Sequence, residues 1–250
     1  MRLNNSSMKK YGKALVTGAS SGIGLAIAKE LISMNISVIG LARDFSKTDF
    51  SDERFEKIEC DISDLINFEK ILNLIEKKHE VDILINNAGL AYFAPHEELN
   101  LKKIDEIVRV NLTAPMLACK VFLRSLKEKK GLVINISSIT AKSPSPFAAA
   151  YGAAKAGISA FSKSIFEESR KHGLKVTVIH PDIVKSRFYR NAFFSESDDP
   201  EAFIECETVA KAVSDIIKVD NYAVISEITI LPQKKKIGRK NPHKCENIHK

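Results

Sequence analysis

The sequence predicts an α/β domain in which helices cover both faces of a mostly parallel sheet of seven strands. Two observations lead to this prediction. Short apolar runs rich in β-branched residues alternate with longer segments of helical periodicity, a pattern typical of β-α-β units. A chain of 250 residues also fits one large domain, whose core needs no disulfide or metal. Parallel strands joined by right-handed crossovers place helices on both faces of the sheet.

Each element is predicted from its own stretch of sequence. The predicted strands are KALVT (13–17), ISVIGLA (36–42), FEKIEC (55–60), DILINN (82–87), GLVINIS (131–137), LKVTVIH (174–180) and AVISEITIL (223–231). The predicted helices lie near 22–34, 66–79, 100–129, 148–171 and 208–218.

The longest irregular stretch, 182–206, follows the sixth predicted strand. A connection of this length in a compact domain is usually a lid or a binding loop, so we predict a substrate lid here. Its aromatic residues, which fit either a lid or ordinary packing, are Phe188, Tyr189, Phe193 and Phe194.

The two ends of the chain differ from its body. We predict a flexible N-terminal extension over 1–10, a catalytic domain over 11–231 and a basic tail over 232–250. The N-terminus has no apolar segment typical of a signal peptide, and no apolar run approaches the length of a membrane span. The four cysteines are widely spaced without a CxxC motif, which favours a reduced, cytoplasmic protein.

Positive charge is concentrated in the tail. The net charge of the chain is +7, and residues 234–250 carry seven Lys or Arg against the single acid Glu246. A basic tail can bind nucleic acid, but a solvated terminus is the more usual case, so a nucleic-acid partner is not expected. His243, Cys245 and His249 are metal-ligand types in this tail, and we expect no metal site there.

A glycine-rich turn follows the first strand, in TGASSGIG at 17–24. Gly18, Gly22 and Gly24 allow a sharp turn and a close approach to a pyrophosphate, and the helix that follows points its free N–H groups at the anion. The spacing is GxxxGxG rather than the commoner GxGxxG. Together with the alternating elements, this turn predicts a single doubly wound Rossmann-type domain.

The end of the second strand indicates which cofactor is bound. An acid at this place would hydrogen-bond the 2′-hydroxyl of the adenosine ribose, whereas an arginine would accommodate a 2′-phosphate. The sequence has Ala42 and then Arg43. We therefore predict NADP(H), the alternative being a surface arginine paired with Asp44.

The segment YGAAKAG places Tyr151 and Lys155 four residues apart, close to one helical turn. Such pairs also occur by chance, with a lysine stem lying along a ring. An ammonium near the phenol would lower the tyrosine pKa from about 10 toward the range useful for proton transfer.

Five motifs together resemble the short-chain dehydrogenase/reductase family: TGASSGIG, NNAG at 86–89, VNL with Asn111, NISS with Ser138, and YGAAK. The resemblance spans roughly 11–231 and implies a carbonyl/alcohol oxidoreductase with catalytic Asn111, Ser138, Tyr151 and Lys155. Tyr151 would be the acid or base, and Ser138 would hold the substrate oxygen. Lys155 would lower the tyrosine pKa and bind the nicotinamide ribose, and Asn111 would hold a relay water.

The resemblance also implies the remaining contacts and the assembly. Small-molecule carbonyl or alcohol substrates and a homodimer or homotetramer, built partly through the helices at 100–129 and 148–171, would be expected. The implied cofactor-binding residues are Thr17, Gly18, Ser20, Ser21, Gly22, Ile23, Gly24, Arg43, Asp61, Ile62, Asn87, Ala88, Gly89, Tyr151, Lys155, Pro181 and Ser186.

The sequence departs from the family pattern after the sixth strand. Asp182 stands where the family usually has glycine after Pro181, and Ser186 lies near a usual threonine. Two other functions remain open: a non-catalytic NADP-binding sensor, and a nucleic-acid partner that acts through the tail.

Overall fold

The computed structural model describes residues 9–192 and 194–239. Its strands are β1 (Lys13–Thr17), β2 (Ser37–Ala42), β3 (Phe55–Glu59), β4 (Ile83–Asn86), β5 (Leu132–Ile136), β6 (Lys175–Pro181), β7 (Phe194–Glu196), β8 (Glu227–Ile230) and β9 (Ile237–Arg239). Its α-helices are α1 (Gly22–Ser33), α2 (Leu65–Lys78), α3 (Leu101–Val108), α4 (Ala114–Glu128), α5 (Ala149–Ser169) and α6 (Cys206–Lys218).

Seven strands form one sheet in the order β3-β2-β1-β4-β5-β6-β8, and every neighbouring pair is parallel. This confirms the predicted fold class. The direction of winding reverses between β1 and β4, so a crevice opens at the carboxyl ends of these two strands, the usual place for a ligand in open α/β sheets.

Helices pack on both faces because successive strand residues point to opposite sides. In β1, Ala14 and Val16 face the core that contains α1 and α6, whereas Leu15 faces the core that contains α2 and α4. All three side chains are fully buried. Two hydrophobic layers therefore hold the sheet rigid beneath its carboxyl edge.

The long predicted helix at 100–129 is interrupted by a π turn at Arg109–Thr113, between α3 and α4. Such turns add a residue to the helical repeat and are frequent at functional sites. Asn111 lies within this turn. The interruption therefore falls at a residue that the sequence motifs had singled out.

Two segments of the C-terminal half differ from the sequence-based expectation. The last strand of the main sheet is shorter than 223–231, because Asp220 accepts hydrogen bonds from the backbone of Tyr222 and Ala223 and holds a turn there. The segment 182–206 contains short helical turns and β7, which pairs antiparallel with β9 from the basic tail. Within the described residues, no helix is long and apolar enough to cross a membrane.

Candidate active site

A cavity of about 480 Å³ lies at the carboxyl edge of the sheet. Sixteen of the predicted site residues line it, and only Thr17, Gly24 and Asn111 do not. The lining residues run from the glycine-rich turn through Arg43 and Asp61 to Ser138, Tyr151 and Lys155. The fold thus brings the separate motifs to one continuous site.

The glycine-rich turn is shaped so that only glycine fits at key positions. Gly18 and Gly22 have φ of 70° and 56°, in the left-handed region that favours glycine. A Cβ on Gly24 would lie 2.2 Å from the carbonyl oxygen of Gly18. The side chain of Ser21 does not cap α1, so the helix presents first-turn N–H groups at the cavity. The turn therefore fits a bound phosphate or pyrophosphate.

Thr17 and Asn87 fasten this turn to the loop after β4. The Oγ1 atom of Thr17 accepts hydrogen bonds from the backbone N–H groups of Asn87 and Ala88, both at 3.0 Å. In return, Nδ2 of Asn87 donates to the carbonyl oxygen of Thr17 at 2.9 Å. Thr17 is buried and supports the turn from behind rather than facing the cavity.

Two cations, Arg43 and Lys47, line the end of the cavity beside β2, together with the carboxylates of Asp44 and Asp61. Arg43 is exposed and lines the cavity, and no carboxylate of the described residues forms an ion pair with it. Asp44, which was the alternative partner for Arg43, instead accepts from the N–H and hydroxyl of Ser46 at 2.7 and 2.9 Å. Lys47 also lines the cavity. The sequence motifs did not indicate Lys47, because it lies in a loop beyond the strand.

Asp61 and Ile62 line the same end of the cavity. One carboxylate oxygen of Asp61 accepts from the backbone N–H and the hydroxyl of Ser63, at 2.9 and 2.8 Å. The carboxylate thus holds its own loop in place at this end of the cavity.

Tyr151 and Ser138 meet at the other end of the cavity. Both side chains line the cavity, the Ser138 hydroxyl is close enough to lower the pKa of Tyr151, and its Oγ accepts from the N–H of Thr140 at 3.2 Å. Tyr151 projects from α5, whereas Ser138 begins the turn after β5. Two hydroxyl groups, one from a helix and one from a strand end, therefore face one point.

The pKa values of Tyr151 and Lys155 are both controlled by burial. Burial raises the pKa of Tyr151, against a smaller opposite effect of the Ser138 hydrogen bond, and it lowers the pKa of Lys155 to about 8. The Nζ atom of Lys155 lies 5.6 Å from the centre of the Tyr151 ring and donates to the carbonyl oxygen of Ile136 at 2.9 Å. Desolvation of the phenolate dominates the pKa of Tyr151 here, and the expected lowering of that pKa by Lys155 remains a prediction.

Asn111 holds the loop after β4 rather than lining the cavity. Its Nδ2 donates to the carbonyl oxygens of Leu90 and Ile107, at 2.6 and 2.8 Å. Its Oδ1 accepts from the N–H of Leu90 at 3.2 Å. Ile107 lies four residues earlier on α3, so the amide joins this helix to the loop after β4. The predicted water relay remains a prediction.

Aromatic rings pack around Tyr151. We call Phe93, Phe188, Tyr189 and Phe194 the aromatic wall. Phe93 and Phe188 lie 6.1 and 5.6 Å from the Tyr151 ring, and Phe194 lies 4.9 Å from Phe93, measured between ring centres. The sequence motifs missed Phe93, because its contacts come from residues about a hundred positions away. Phe193 lies outside the described residues.

Other polar groups complete this end of the site. Asp182 lines the cavity, and burial raises the pKa of its carboxyl group. The hydroxyl of Ser186 accepts from the N–H of Phe188 at 3.3 Å and so caps the helical turn at Arg187–Asn191. Glu106, which the motifs also missed, lines the cavity and accepts from the hydroxyl of Tyr92 at 2.7 Å.

The described residues show no cluster of three or more His, Cys, Asp or Glu side chains able to hold a metal ion. The histidines and cysteine of the tail at 243–249 lie outside the described residues.

Comparison with known proteins gives several matches. The family profile described as short chain dehydrogenase matches residues 12–196. A 3-oxoacyl-(acyl-carrier-protein) reductase of Buchnera aphidicola subsp. Acyrthosiphon pisum is 33% identical over 181 residues, which cover 70% of this chain and 74% of that protein.

Solved structures match over a larger share of the chain. A metagenomic short-chain oxidoreductase in complex with NADP is 29% identical with a TM-score of 0.73, and the match covers 88% of this chain and 97% of that chain. An alcohol dehydrogenase from the archaeon Thermococcus sibiricus, complexed with 5-hydroxy-NADP, has a TM-score of 0.79 at 23% identity. That match covers 91% of this chain and 99% of the other, and it supports the fold alone.

Proposed function

The chain belongs to the short-chain dehydrogenase/reductase family of oxidoreductases, and from this premise we propose that it interconverts a small carbonyl compound and its alcohol with NADP(H). The observation that carries the proposal is that Ser138, Tyr151 and Lys155 line one end of the cavity that begins at the glycine-rich turn. One end of this cavity suits a pyrophosphate and the other suits proton transfer.

The chain's own residues supply binding and proton transfer. In reduction, the Tyr151 hydroxyl donates its proton to the carbonyl oxygen, and in oxidation it takes the proton from the alcohol. The Ser138 hydroxyl holds the same oxygen and stabilises the charge that develops on it. When bound, the nicotinamide supplies or accepts the hydride.

Lys155 assists Tyr151 in this proposal. With a pKa of about 8, its amino group is mostly protonated at neutral pH and so carries a positive charge beside the phenol ring. A positive charge at this place favours the phenolate that forms after proton transfer. The same ammonium lies close enough to the cavity to bind the nicotinamide ribose.

NADP(H) is proposed over NAD(H) on the charges beside β2. Arg43 and Lys47 line that end of the cavity, and Ala42 offers no carboxylate to hydrogen-bond a 2′-hydroxyl or repel a 2′-phosphate. The arginine fork suits phosphate oxygens. The solved complex with NADP at 29% identity is consistent with this choice.

A homo-oligomer through α3, α4 and α5 is also part of the proposal. Val108 and Met116 lie on α3 and α4, and their side chains are 37% and 41% exposed. Exposed apolar residues on neighbouring helical turns fit a contact between subunits. Light scattering of the purified protein would establish the number of subunits.

The experiment that tests the function is a panel of aldehydes, ketones and β-hydroxy acids assayed with each cofactor. We expect NADPH to be oxidised with at least one carbonyl compound, or NADP to be reduced with the matching alcohol. Tight binding of NADPH without turnover on any compound would instead favour the non-catalytic sensor. DNA or RNA binding that weakens steeply with salt would favour the nucleic-acid function.

A further inference from the structure

The basic segment that leaves the main sheet pairs with the segment that carries Phe194 of the aromatic wall. Residues 234–239, which we call the strap, run beside the segment 194–201. In register, Phe194 pairs with Arg239, Ser195 with Gly238, and Glu196 with Ile237. A Cβ on Gly238 would lie 2.6 Å from the carbonyl oxygen of Glu196, so the two strands approach this closely only because residue 238 is glycine.

Lys234 makes a second, independent connection between the strap and the same segment. Its N–H donates to the carbonyl oxygen of Glu201 at 2.8 Å. Its ammonium pairs with the carboxylates of Asp199 and Glu201, the first at 3.4 Å. Lys236 also lies within electrostatic range of Asp199. The charges of Lys234 and Lys236 are therefore met by acids of this chain.

A continuous set of ring contacts joins the strap to the candidate catalytic tyrosine. Phe194, whose backbone pairs with the strap, packs at 4.9 Å against Phe93 and at 5.4 Å against Tyr189. Phe93 in turn lies 6.1 Å from Tyr151. Because a protein interior is dense and leaves little free space, a shift of Phe194 moves the rings packed against it and so reaches Tyr151.

We propose that the strap is a specificity-determining part of the substrate site, which fixes the aromatic wall against Tyr151. This inference rests on the proposed function, since it takes Tyr151 to be the reacting group. Within the described residues the strap pairs with 194–201 and does not itself line the cavity, while Arg43 and the glycine-rich turn lie at the cofactor end. Loosening the strap therefore weakens substrate binding and leaves cofactor binding unchanged.

Two variants of the full chain test the proposal. Gly238→Ala places a methyl group against Glu196 and separates the paired strands, whereas Lys234→Ala removes the ion pairs from a half-exposed side chain without disturbing any core residue. The matched control is Gly12→Ala, because a Cβ there would lie 3.4 Å from its nearest neighbour, Asp82, which is an ordinary contact.

The first readout needs no substrate. Chymotrypsin cuts after aromatic residues, so limited proteolysis followed by mass spectrometry reports whether Phe188, Tyr189 and Phe194 are packed. We expect Gly238→Ala to be cut within 182–206 several-fold faster than wild type and than Gly12→Ala, with Lys234→Ala intermediate. Equal cleavage in all four proteins would overturn the proposal, whatever the activity panel shows.

The second readout uses the carbonyl compound that the panel identifies. For Gly238→Ala we expect KM to rise about tenfold, equivalent to about 1.4 kcal/mol of binding, with the Kd of NADPH unchanged. An unchanged KM with faster cleavage would show that the strap packs the aromatic wall without shaping the substrate site, which would contradict the proposal.

If Gly238→Ala fails to fold, Lys234→Ala is tested by the same two measurements, cleavage within 182–206 and KM. A wild-type protein inactive on every compound would refute the proposed function. The cleavage rates would still show whether the strap holds the aromatic wall in place, because that measurement needs no substrate.

Discussion

His180 holds the backbone of Ser138 from behind the candidate active site: its Nδ1 atom lies 3.1 Å from the carbonyl oxygen of Ser138. A carbonyl oxygen only accepts, so Nδ1 carries the proton. The ring is 1% exposed, and burial lowers the pKa of His180, so it is neutral at neutral pH. Glu227 lies on its far side, where it is paired with Lys142 and Lys163.

We predict that His180→Leu misplaces Ser138. The substitution removes one of two donors to the carbonyl oxygen of Ser138, the other being the N–H of Ala141 at 3.0 Å, and the lost hydrogen bond costs about 0.5–1.5 kcal/mol. A small displacement of a catalytic group can lower the rate by as much as about a hundredfold, so we expect kcat to fall at least about tenfold with the Kd of NADPH unchanged. His180→Asn keeps an N–H near the Nδ1 position and should restore most of kcat. Equal kcat in both variants would remove His180 from this role.

Tyr151→Phe should abolish turnover and leave cofactor binding intact. The change removes the proton donor and little of the shape of the side chain. We expect kcat to fall by at least about a hundredfold, the usual scale for a general acid. The check is steady-state kinetics beside a fluorescence titration with NADPH. Near-normal kcat in this variant would contradict the proposed role of Tyr151.

Lys155→Met should make the protein more stable at neutral pH. Burial lowers the pKa of Lys155 from 10.5 to about 8, so the folded state holds a charge that the unfolded state accommodates more easily. At about 1.4 kcal/mol per pKa unit, keeping Lys155 charged in the folded state costs on the order of 3 kcal/mol of unfolding free energy below pH 8. Between pH 8 and 10.5 the unfolded state binds more protons than the folded state, so the wild-type unfolding free energy rises with pH.

Urea unfolding of both proteins at a series of pH values measures this difference. We expect the advantage of Lys155→Met to shrink as the pH rises through this window. Lys163→Met is the control, because it removes an exposed lysine from the same helix, α5. An advantage that does not change with pH would show that the buried charge is not its cause.

Cofactor choice should depend on the charges at the end of β2. A charge-assisted contact is worth about 1.5–3 kcal/mol, which corresponds to a preference for NADPH of roughly ten- to a hundredfold in kcat/KM. Ala42→Asp combined with Arg43→Leu should reverse the preference, since it adds a repulsive carboxylate and deletes an attractive arginine. Lys47→Leu should lower the preference by less, and added salt should reduce it in the wild type because both cations are near solvent.

Steady-state kcat/KM values with NADPH and NADH in all these proteins provide the measurement. Lys29→Leu, on the outer side of α1, is the control for loss of a lysine. A wild-type preference for NADH would mean that Arg43 and Lys47 do not contact the ribose phosphate.

The sequence alone determined those features that depend on local conformation and on the order of elements. The β-branched runs and the glycines at 18, 22 and 24 determine the backbone conformation of the few residues around them. The order of strand, turn and helix is therefore predictable from the sequence. Since parallel strands all end at one edge, the motifs after β1, β4, β5 and β6 were expected at a common site. The fold class and the grouping of the motifs were predictable for this reason.

Only the tertiary structure decided the features that depend on contacts between distant positions. The Phe93 ring packs against rings near residue 190, His180 donates to the carbonyl oxygen of Ser138, and Gly238 lies against the backbone of Glu196. The basic tail that contains Gly238 was expected to be solvated, as charged termini usually are, whereas the fold brings Asp199 and Glu201 beside Lys234. The pKa values of Tyr151 and Lys155 depend in the same way on burial, which is a property of packing and not of the spacing between the two residues.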